Sequence, residues 1–345
     1  MLEYVVAALV VCLPTACAAR LAPQPCAQTA RIPGGVLFGD TAFLANASSG
    51  IDAIDARTGQ LRWKTDVADM PLAAGDDDLV AARFDRERPN VIHVLLLNPP
   101  SGAPRRPASD VELPPSVALA RGPGGQLDLD ARIANGRIAI DWTASAPSTY
   151  GASPRAIEGA PTPMRGHVEL DKATGRVLVS TAQAATDAAV TGTDSASYWR
   201  NGEISRTTWL VDGQRLALAQ TAAGEETSLA LRTKDGDRPL ARGRALVAKV
   251  SPDGRAIFVR SAESPPAPWT IFAAPSGSRV GTVGYEAHDV DVGFACGLAF
   301  VSVESGGGRP GTPAPTLLEA FDGDARLLWT HPIRGRTATP RALPG

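Results

Sequence analysis

The chain has 345 residues, of which 44% are hydrophobic and 20% charged, and its formal net charge is −2. This balance is typical of a folded globular protein, and it excludes a disordered chain and a polytopic membrane protein. The sequence has no basic stripe, so nucleic acid is excluded as an expected partner.

The first residues predict export. Residues 5–13 form a short apolar run followed by small residues at 15–19, and the run is too short to span a bilayer. We therefore predict a signal peptide over 1–19, a linker over 20–30 and a location in the periplasm or cell envelope. Two maturation routes stay open, cleavage after an Ala-x-Ala site at 16–18 and lipidation of Cys17. A lipid on Cys17 would be the protein's only attachment to a membrane.

From residue 31 onward the sequence predicts paired strands. Residues 35–38 and 41–45 flank a turn at Gly39-Asp40, and a second hairpin follows around Thr58-Gly59. Alternation of apolar residues from Ile51 onward has the two-residue period of a strand. Asp55 is able to accept backbone N–H groups of the turn, and Gly59 supplies a positive φ there.

The same unit recurs down the chain. Its second hairpin turns near residues 59, 102, 175, 236, 277 and 323, at spacings of 43, 73, 61, 41 and 46. The short spacings set the length of one repeat, and the two long ones indicate insertions. We predict one domain over 31–345, with inserted loops near 144–165, 184–205 and 304–315. The tail at 337–345 is predicted to pair with the first unit.

The repeat carries a family resemblance. Ala53-x-Asp55-x-x-Thr58-Gly59-x-x-x-Trp63 resembles the tryptophan-docking repeat of quinoprotein-like (PQQ-type) β-propellers, and degraded copies lie at 168–178 and 318–329. The middle copy has Val179 in the tryptophan position. The resemblance implies an all-β fold, a single β-propeller of four-stranded antiparallel blades, with Trp63 and Trp329 packed between adjacent blades. We count six blades; seven stays open if the insertions hide a degraded unit.

Two cysteines lie outside the predicted signal peptide, Cys26 and Cys296. The first and last blades of a closed ring are neighbours, so these thiols are placed to form a disulfide in an oxidising compartment. The alternative is that Cys296 is a small buried hydrophobic residue.

No motif predicts a catalytic, cofactor-binding or metal site, and we assign no residue to one. The four histidines (His93, His167, His288 and His331) are scattered, without His-Glu-x-x-His or Cys-x-x-Cys spacing. We interpret His288-Asp289-x-Asp291 as a solvated edge rather than a ligand cluster. We interpret Asp76-Asp77-Asp78 as a polar hairpin turn rather than a calcium loop.

The remaining tryptophans have two possible roles. They are expected in the core rather than stacked on sugar rings. The residues concerned are Trp142, Trp199, Trp209 and Trp269.

The predicted function is based on the family resemblance, because the sequence has no catalytic or ligand-binding motif. Quinoprotein dehydrogenases with this repeat use an adjacent-cysteine disulfide and a calcium-binding set of acids, which we do not find here, so we expect no cofactor. The relatives without those groups are binding scaffolds, including the outer-membrane assembly lipoprotein type. We predict an exported, non-enzymatic, monomeric scaffold for protein partners in cell-envelope assembly. The alternative is an enzyme, a PQQ-dependent oxidoreductase or a hydrolase, with its site at the central channel.

Overall fold

The computed structural model of the chain describes most of residues 26–334. The described residues are 26–121, 126–145, 164–184, 206–211, 214–223, 226–244, 246–250, 256–261, 268–274, 276–283, 291–304, 316–323 and 325–334. The predicted signal peptide with Cys17, most of the three predicted insertions and the tail at 337–345 lie outside them. Within these ranges no helix is long and apolar enough to cross a membrane.

The described strands form antiparallel sheets in which each strand pairs with the next. Strand β1 (Cys26–Ile32) precedes blade 1, which contains β2 (Gly35–Gly39), β3 (Thr41–Ala45), β4 (Ile51–Asp55) and β5 (Leu61–Thr65). Blade 2 contains β6 (Met70–Ala74), β7 (Leu79–Phe84), β8 (Val91–Leu97) and β9 (Ser109–Glu112), and a short helix α1 (Val117–Ala120) follows it. Blade 3 contains β10 (Gln126–Ala134), β11 (Arg137–Ser145), β12 (Met164–Asp171) and β13 (Val177–Ala184).

The second half repeats this plan. Blade 4 contains β14 (Arg206–Val211), β15 (Gln214–Ala223), β16 (Glu226–Thr233) and β17 (Gly236–Gly243). Blade 5 contains β18 (Leu246–Val250), β19 (Ala256–Ser261), β20 (Trp269–Ala273) and β21 (Ser278–Val283). Blade 6 contains β22 (Asp291–Ala295), β23 (Leu298–Glu304), β24 (Thr316–Phe321) and β25 (Leu327–Ile333). Six blades are thus present among the described residues, and a seventh would have to lie outside them.

Strand β4 shows why the blades stack. Its side chains alternate between two faces, and both faces are buried. Ile51 and Ala53 pack into an apolar cluster with blade 2, whereas Ile54 packs into a cluster with blade 6. A strand buried on both faces needs apolar residues at nearly every position, which accounts for the apolar run of β8.

The ring closes between the last blade and the first. Phe300 and Trp329 of blade 6 share an apolar cluster with Leu37 and Ile54 of blade 1. On the backbone, the Arg334 N–H donates to the Ala45 carbonyl at 2.9 Å. Radial four-stranded sheets whose first and last members pack together define a β-propeller. The predicted all-β fold class is confirmed.

Both predicted docking tryptophans lie between blades. The Trp63 Nε1–H donates to the Pro99 carbonyl of blade 2 at 2.7 Å, and the Trp329 Nε1–H donates to the Ala56 carbonyl of blade 1 at 2.8 Å. Each indole covers the glycine of the turn that it contacts. A Cβ added at Gly102 or Gly59 would lie 2.6 Å from the ring, so only glycine fits there.

The ring has two ends with different connections. The turns between the first and second strands of a blade, and between its third and fourth strands, lie at one end, which we call the turn face. The loops between second and third strands and the links between blades lie at the other end, the loop face. Blade 1 places Gly39-Asp40 and Thr58-Gly59 on the turn face, and residues 46–50 and 66–69 on the loop face.

The N-terminal boundary differs from the expectation. Residues 26–30 were predicted as linker, but they form most of β1, which pairs antiparallel with β2. The sequence Cys-Ala-Gln-Thr-Ala-Arg-Ile carries little apolar alternation, because among its described side chains only Ala30 and Ile32 pack in the apolar cluster shared by blades 1 and 6. Cys296 is disulfide-bonded, so the alternative of a buried free thiol is wrong. The side chain of its predicted partner, Cys26, lies outside the description.

Candidate functional site

Strand β1 lies in the central channel. It pairs with the inner edge of β2 and also contacts β6 and β22, the innermost strands of blades 2 and 6. Thr29 Oγ accepts a hydrogen bond from the Ala74 N–H at 3.0 Å and donates to the Ala74 carbonyl. A Cβ added at Gly293 of β22 would lie 3.0 Å from Pro33, just after β1.

Arg31 extends the contact across the channel to blade 3. Its guanidinium donates to Asp130 Oδ1 at 2.8 and 3.0 Å and to the Leu129 carbonyl. Strand β1 therefore touches four blades. The chain itself therefore occupies part of the central channel.

An open cavity lies on the loop face, in the groove between blades 1 and 2. Its volume is about 570 Å³, within the usual range for ligand pockets. The blade 1 wall consists of Ser49, Asp66, Val67 and Asp69. The blade 2 wall includes Arg83, Phe84, Asp85, Arg86, Glu87 and His93, with Leu95 at the base. We call this cavity the groove pocket.

The blade 2 wall is shaped by Asp85. Its Oδ1 accepts the backbone N–H groups of Glu87 and Arg88 at 2.8 and 2.9 Å, and its Oδ2 accepts Arg88 Nε at 3.0 Å. These hydrogen bonds, led by the Arg88 backbone N–H, lower the pKa of Asp85 to about 2. Arg121 supports the loop from behind, because its guanidinium lies 4.7 Å from the Phe84 ring and donates to the Asp85 and Pro89 carbonyls.

Two further ionisable groups of the pocket, Asp69 and His93, are hydrogen-bonded within the protein. Asp69 Oδ2 accepts the Phe84 N–H at 3.0 Å and so links the two walls at the base of the groove. His93 Nδ1 lies 2.7 Å from Asp110 Oδ1, and its Nε2 lies 3.4 Å from Asp85 Oδ2. The hydrogen bond with His93 lowers the pKa of Asp110.

Four charged side chains of the groove pocket have no partner within the described part of the chain. Asp66, Arg83, Arg86 and Glu87 are exposed and make no ion pair or side-chain hydrogen bond there. No serine–histidine hydrogen bond forms among the residues that line the pocket. The arrangement therefore offers unpaired charges and an apolar base, which suits binding of a charged partner.

The comparisons with known proteins give structural neighbours of low similarity. No family model matches the sequence, and no curated protein matches it. A quinohemoprotein alcohol dehydrogenase of Pseudomonas putida HK5 is 12% identical, with 86% of this chain covering 58% of the dehydrogenase at a TM-score of 0.27. The β-propeller domain of the Trilobed protease from Pyrococcus furiosus is 10% identical, with 90% of this chain covering 84% of that domain at a TM-score of 0.30.

A third neighbour is the computationally designed Ika8 protein, 11% identical, with 90% coverage of both chains and a TM-score of 0.30. Proteins with different roles thus match at similar TM-scores, and scores this low carry no argument about this chain. The assignment of the fold rests on the blades described above.

The structure places several residues that the sequence analysis weighed for chemistry. Asp78 ends the turn at 76–78 and is buried, with Lys172 Nζ 2.7 Å and Arg105 Nη1 3.3 Å from its carboxylate. Trp142 and Trp269 are buried in apolar clusters, as the core interpretation predicted. The side chains of Trp199 and Trp209, and the segment containing His288-Asp289, lie outside the description. Among described residues, no group of three potential ligands is arranged for a metal ion.

The groove pocket was missed at the level of sequence. Its free residues lie on two blades, and a link of 66–69 on one blade does not show which loop of the next blade it faces. One signal was present. Five of the six residues from Arg83 to Arg88 are charged, at the end of a buried strand and in the loop after it, which is typical of an exposed loop with a binding role.

Proposed function

We propose that this protein is an exported, non-enzymatic β-propeller that docks a protein partner on its loop face, with a role in cell-envelope assembly. Two features of the molecule support this proposal. Closed rings of short-edged sheets are rigid, and a rigid ring suits docking. The loop face also carries the groove pocket, with its free charges and apolar base.

The position of β1 is the observation that carries the proposal. The competing function, an oxidoreductase using PQQ or a hydrolase, needs a site at the central channel. Thr29 and Arg31 fill part of that channel and bond to blades 2 and 3. A cofactor would have to displace these contacts, whereas a partner on the loop face displaces nothing.

Export is supported by the disulfide of Cys296, because disulfides persist in oxidising compartments. The orientation of β1 shows from which end of the ring the chain enters the channel. Cys26 pairs with Gly39, so the chain enters the channel from the turn face. Eight residues lie between Cys17 and Cys26, so the nine residue steps from one to the other span at most about 30 Å. A lipid on Cys17 would therefore hold the turn face toward the membrane and leave the loop face free for a partner.

Site-specific photocrosslinking in cells tests the proposal. A photoreactive amino acid at Ala47, exposed on the loop face, is expected to form a discrete adduct. The same amino acid at Asp77, exposed on the turn face, is the matched control and is expected to form none. Adducts at Asp77 alone, or none at any of several loop-face positions, would contradict the proposal.

A thermal-unfolding scan tests the competing enzyme. A ligand that binds the native state raises the unfolding midpoint by mass action. Excess PQQ with calcium is expected to leave the midpoint of this protein unchanged, and a clear rise would favour the oxidoreductase instead.

A further inference from the structure

The free charges of the groove pocket differ between the two walls. On the blade 1 wall only Asp66 is free, because Asp69 accepts the Phe84 N–H and lies 3.9 Å from Arg334. On the blade 2 wall Arg83, Arg86 and Glu87 are free, and the neighbouring Asp85 is paired with Arg88. The free charge is therefore negative on the blade 1 wall and net positive on the blade 2 wall.

The opposite charges do not meet. Asp66, Arg83 and Arg86 are free of ion pairs throughout the described residues, although flexible side chains of opposite sign line the same cavity. The two blades pack together in one apolar cluster, and Asp69 joins their walls by donating its N–H to the Ala82 carbonyl and accepting the Phe84 N–H. The charges are thus available to a ligand that reaches both walls.

The apolar base of the pocket favours ligands with alkyl groups next to their charges. Val67, Phe84 and Leu95 offer apolar surface between the charged walls. Alkyl stems of long charged side chains pack well on such surface while their charged ends reach polar groups. Guanidinium groups also bind carboxylates in a bidentate way that fixes orientation.

We propose that the groove pocket binds a segment of the partner protein that carries one basic and one acidic side chain close together. The basic side chain lies against Asp66, and the acidic side chain lies against Arg83 and Arg86. The stems of both cover the apolar base. This inference rests on the proposed docking role of the loop face and adds the chemistry of what docks there.

Binding of short capped peptides to the purified protein tests the inference. The probes carry one Lys and one Glu, in either order, separated by none, one or two alanines. Matched peptides have Lys or Glu replaced by alanine. At low salt, where screening is weak, at least one two-charge peptide is expected to bind about ten-fold more tightly than both of its single-charge forms.

Variants then assign the binding to the two walls. Asp66→Asn, and separately the double variant Arg83→Gln with Arg86→Gln, are expected to reduce affinity for the two-charge peptide to that of the single-charge peptides. Asp77→Asn and Arg57→Gln change exposed charges on the turn face and are expected to bind like the wild type. All five positions are exposed, so the unfolding midpoints of the variants should stay near that of the wild type.

Two results would overturn the inference. One is that no two-charge peptide binds better than its single-charge forms, and the other is that the pocket variants bind as the wild type does. The peptide assay needs no partner protein. Failure of the crosslinking experiment with peptide binding intact would therefore reject the docking role in cells, whereas crosslinking without peptide binding would reject only the chemistry assigned to the pocket.

Discussion

The junctions between blades are of two kinds. Between blades 6 and 1 an indole covers the neighbouring turn, and apolar side chains from both blades are buried together. Blade 3 differs on the side that faces blade 4. Its outer strand has Val179 in the tryptophan position, with 40% of the residue exposed, and its middle strands present Asp141, His167 and Glu169. Within the described residues, no buried apolar cluster spans blades 3 and 4.

The same repeat therefore presents an apolar face to the next blade in blade 6 and a more polar face in blade 3. The same strand alternation places Ile138, Ile140 and Trp142 toward blade 2, where they are buried. Between them, Ala139 and Asp141 face the opposite way, and this face also carries the polar His167 and Glu169 of the next strand. The fold therefore needs the apolar set on one face of blade 3, and the other face is free to carry charge.

Removal of a docking indole should have the largest effect. Trp329→Ala is expected to lower the free energy of unfolding by about 3–5 kcal/mol, because a buried aromatic side chain is lost and a cavity remains. The matched variant Val179→Ala, at the equivalent position of blade 3, should change it by no more than about 0.5 kcal/mol. Urea denaturation of both variants measures the difference. Equal losses would show that the two junctions are not different in kind.

The docked turn gives the next effect. Gly102 has a φ of 68°, and an added Cβ would lie 2.6 Å from the Trp63 ring. Gly136 has a φ of 73° with open space around it. Gly136→Ala should cost about 1–2 kcal/mol for the left-handed backbone alone, and Gly102→Ala should cost roughly 1–3 kcal/mol more for the clash. Thermal unfolding of the pair isolates the contribution of docking. Similar losses in the two variants would mean that Trp63 does not press on the turn.

The hairpins and the tryptophan contacts between blades could be predicted from the sequence. The repeat around Trp63 predicted strands, turns and the junction, because Asp55, Thr58 and Gly59 are local requirements of one hairpin. Asp66 lies in the same pocket as Arg83, and Arg31 lies beside Asp130, only because of how separate blades are placed in the ring. No local pattern carries that information, so neither the groove pocket nor the position of β1 was predicted.

Replacement of a buried acid between two blades should raise the free energy of unfolding, by less than the loss of the indole lowers it. Glu319 lies on the face of blade 6 toward blade 5, is 6% exposed, and has an Oε2 without a hydrogen bond to the described residues. Burial raises the pKa of Glu319. Glu319→Met is therefore expected to stabilise the protein by about 1–3 kcal/mol at neutral pH.

The sign of the pH dependence follows from the raised pKa of Glu319. Its protonated form is favoured in the folded state, so its contribution is most favourable below the unfolded pKa and is lost as the pH rises through the folded one. The gain from Glu319→Met should thus shrink toward acid pH. Glu319→Gln keeps the polarity without the charge and serves as the control. A gain that is the same at all pH values would exclude a charge effect.

The polar face of blade 3 should give the smallest effect. The hydrogen bond with Asp141, together with Glu169, raises the pKa of His167 above 6.5. Arg132 pairs with Asp141 and Arg137 with Glu169 on the same face, which limits this effect. The stability that His167 contributes is fully present below its unfolded pKa and is lost as the pH rises through the raised folded pKa.

His167→Asn should therefore lower stability in mild acid and leave it unchanged in alkali. His167 is partly exposed and screened, so the loss should stay below about 1 kcal/mol. Urea denaturation across this pH range measures it. A loss that grows with rising pH would contradict the assignment of His167 as the charged partner.

Hydrogen–deuterium exchange of residues 26–32 tests most directly whether β1 fills the channel. Amides that are hydrogen-bonded inside a folded ring exchange through unfolding and are strongly protected. Peptides covering β1 should exchange about as slowly as those covering β2. Complete exchange within seconds, as in an unstructured linker, would show that β1 does not fill the channel. The enzyme with a site in the channel would then be favoured over the docking scaffold.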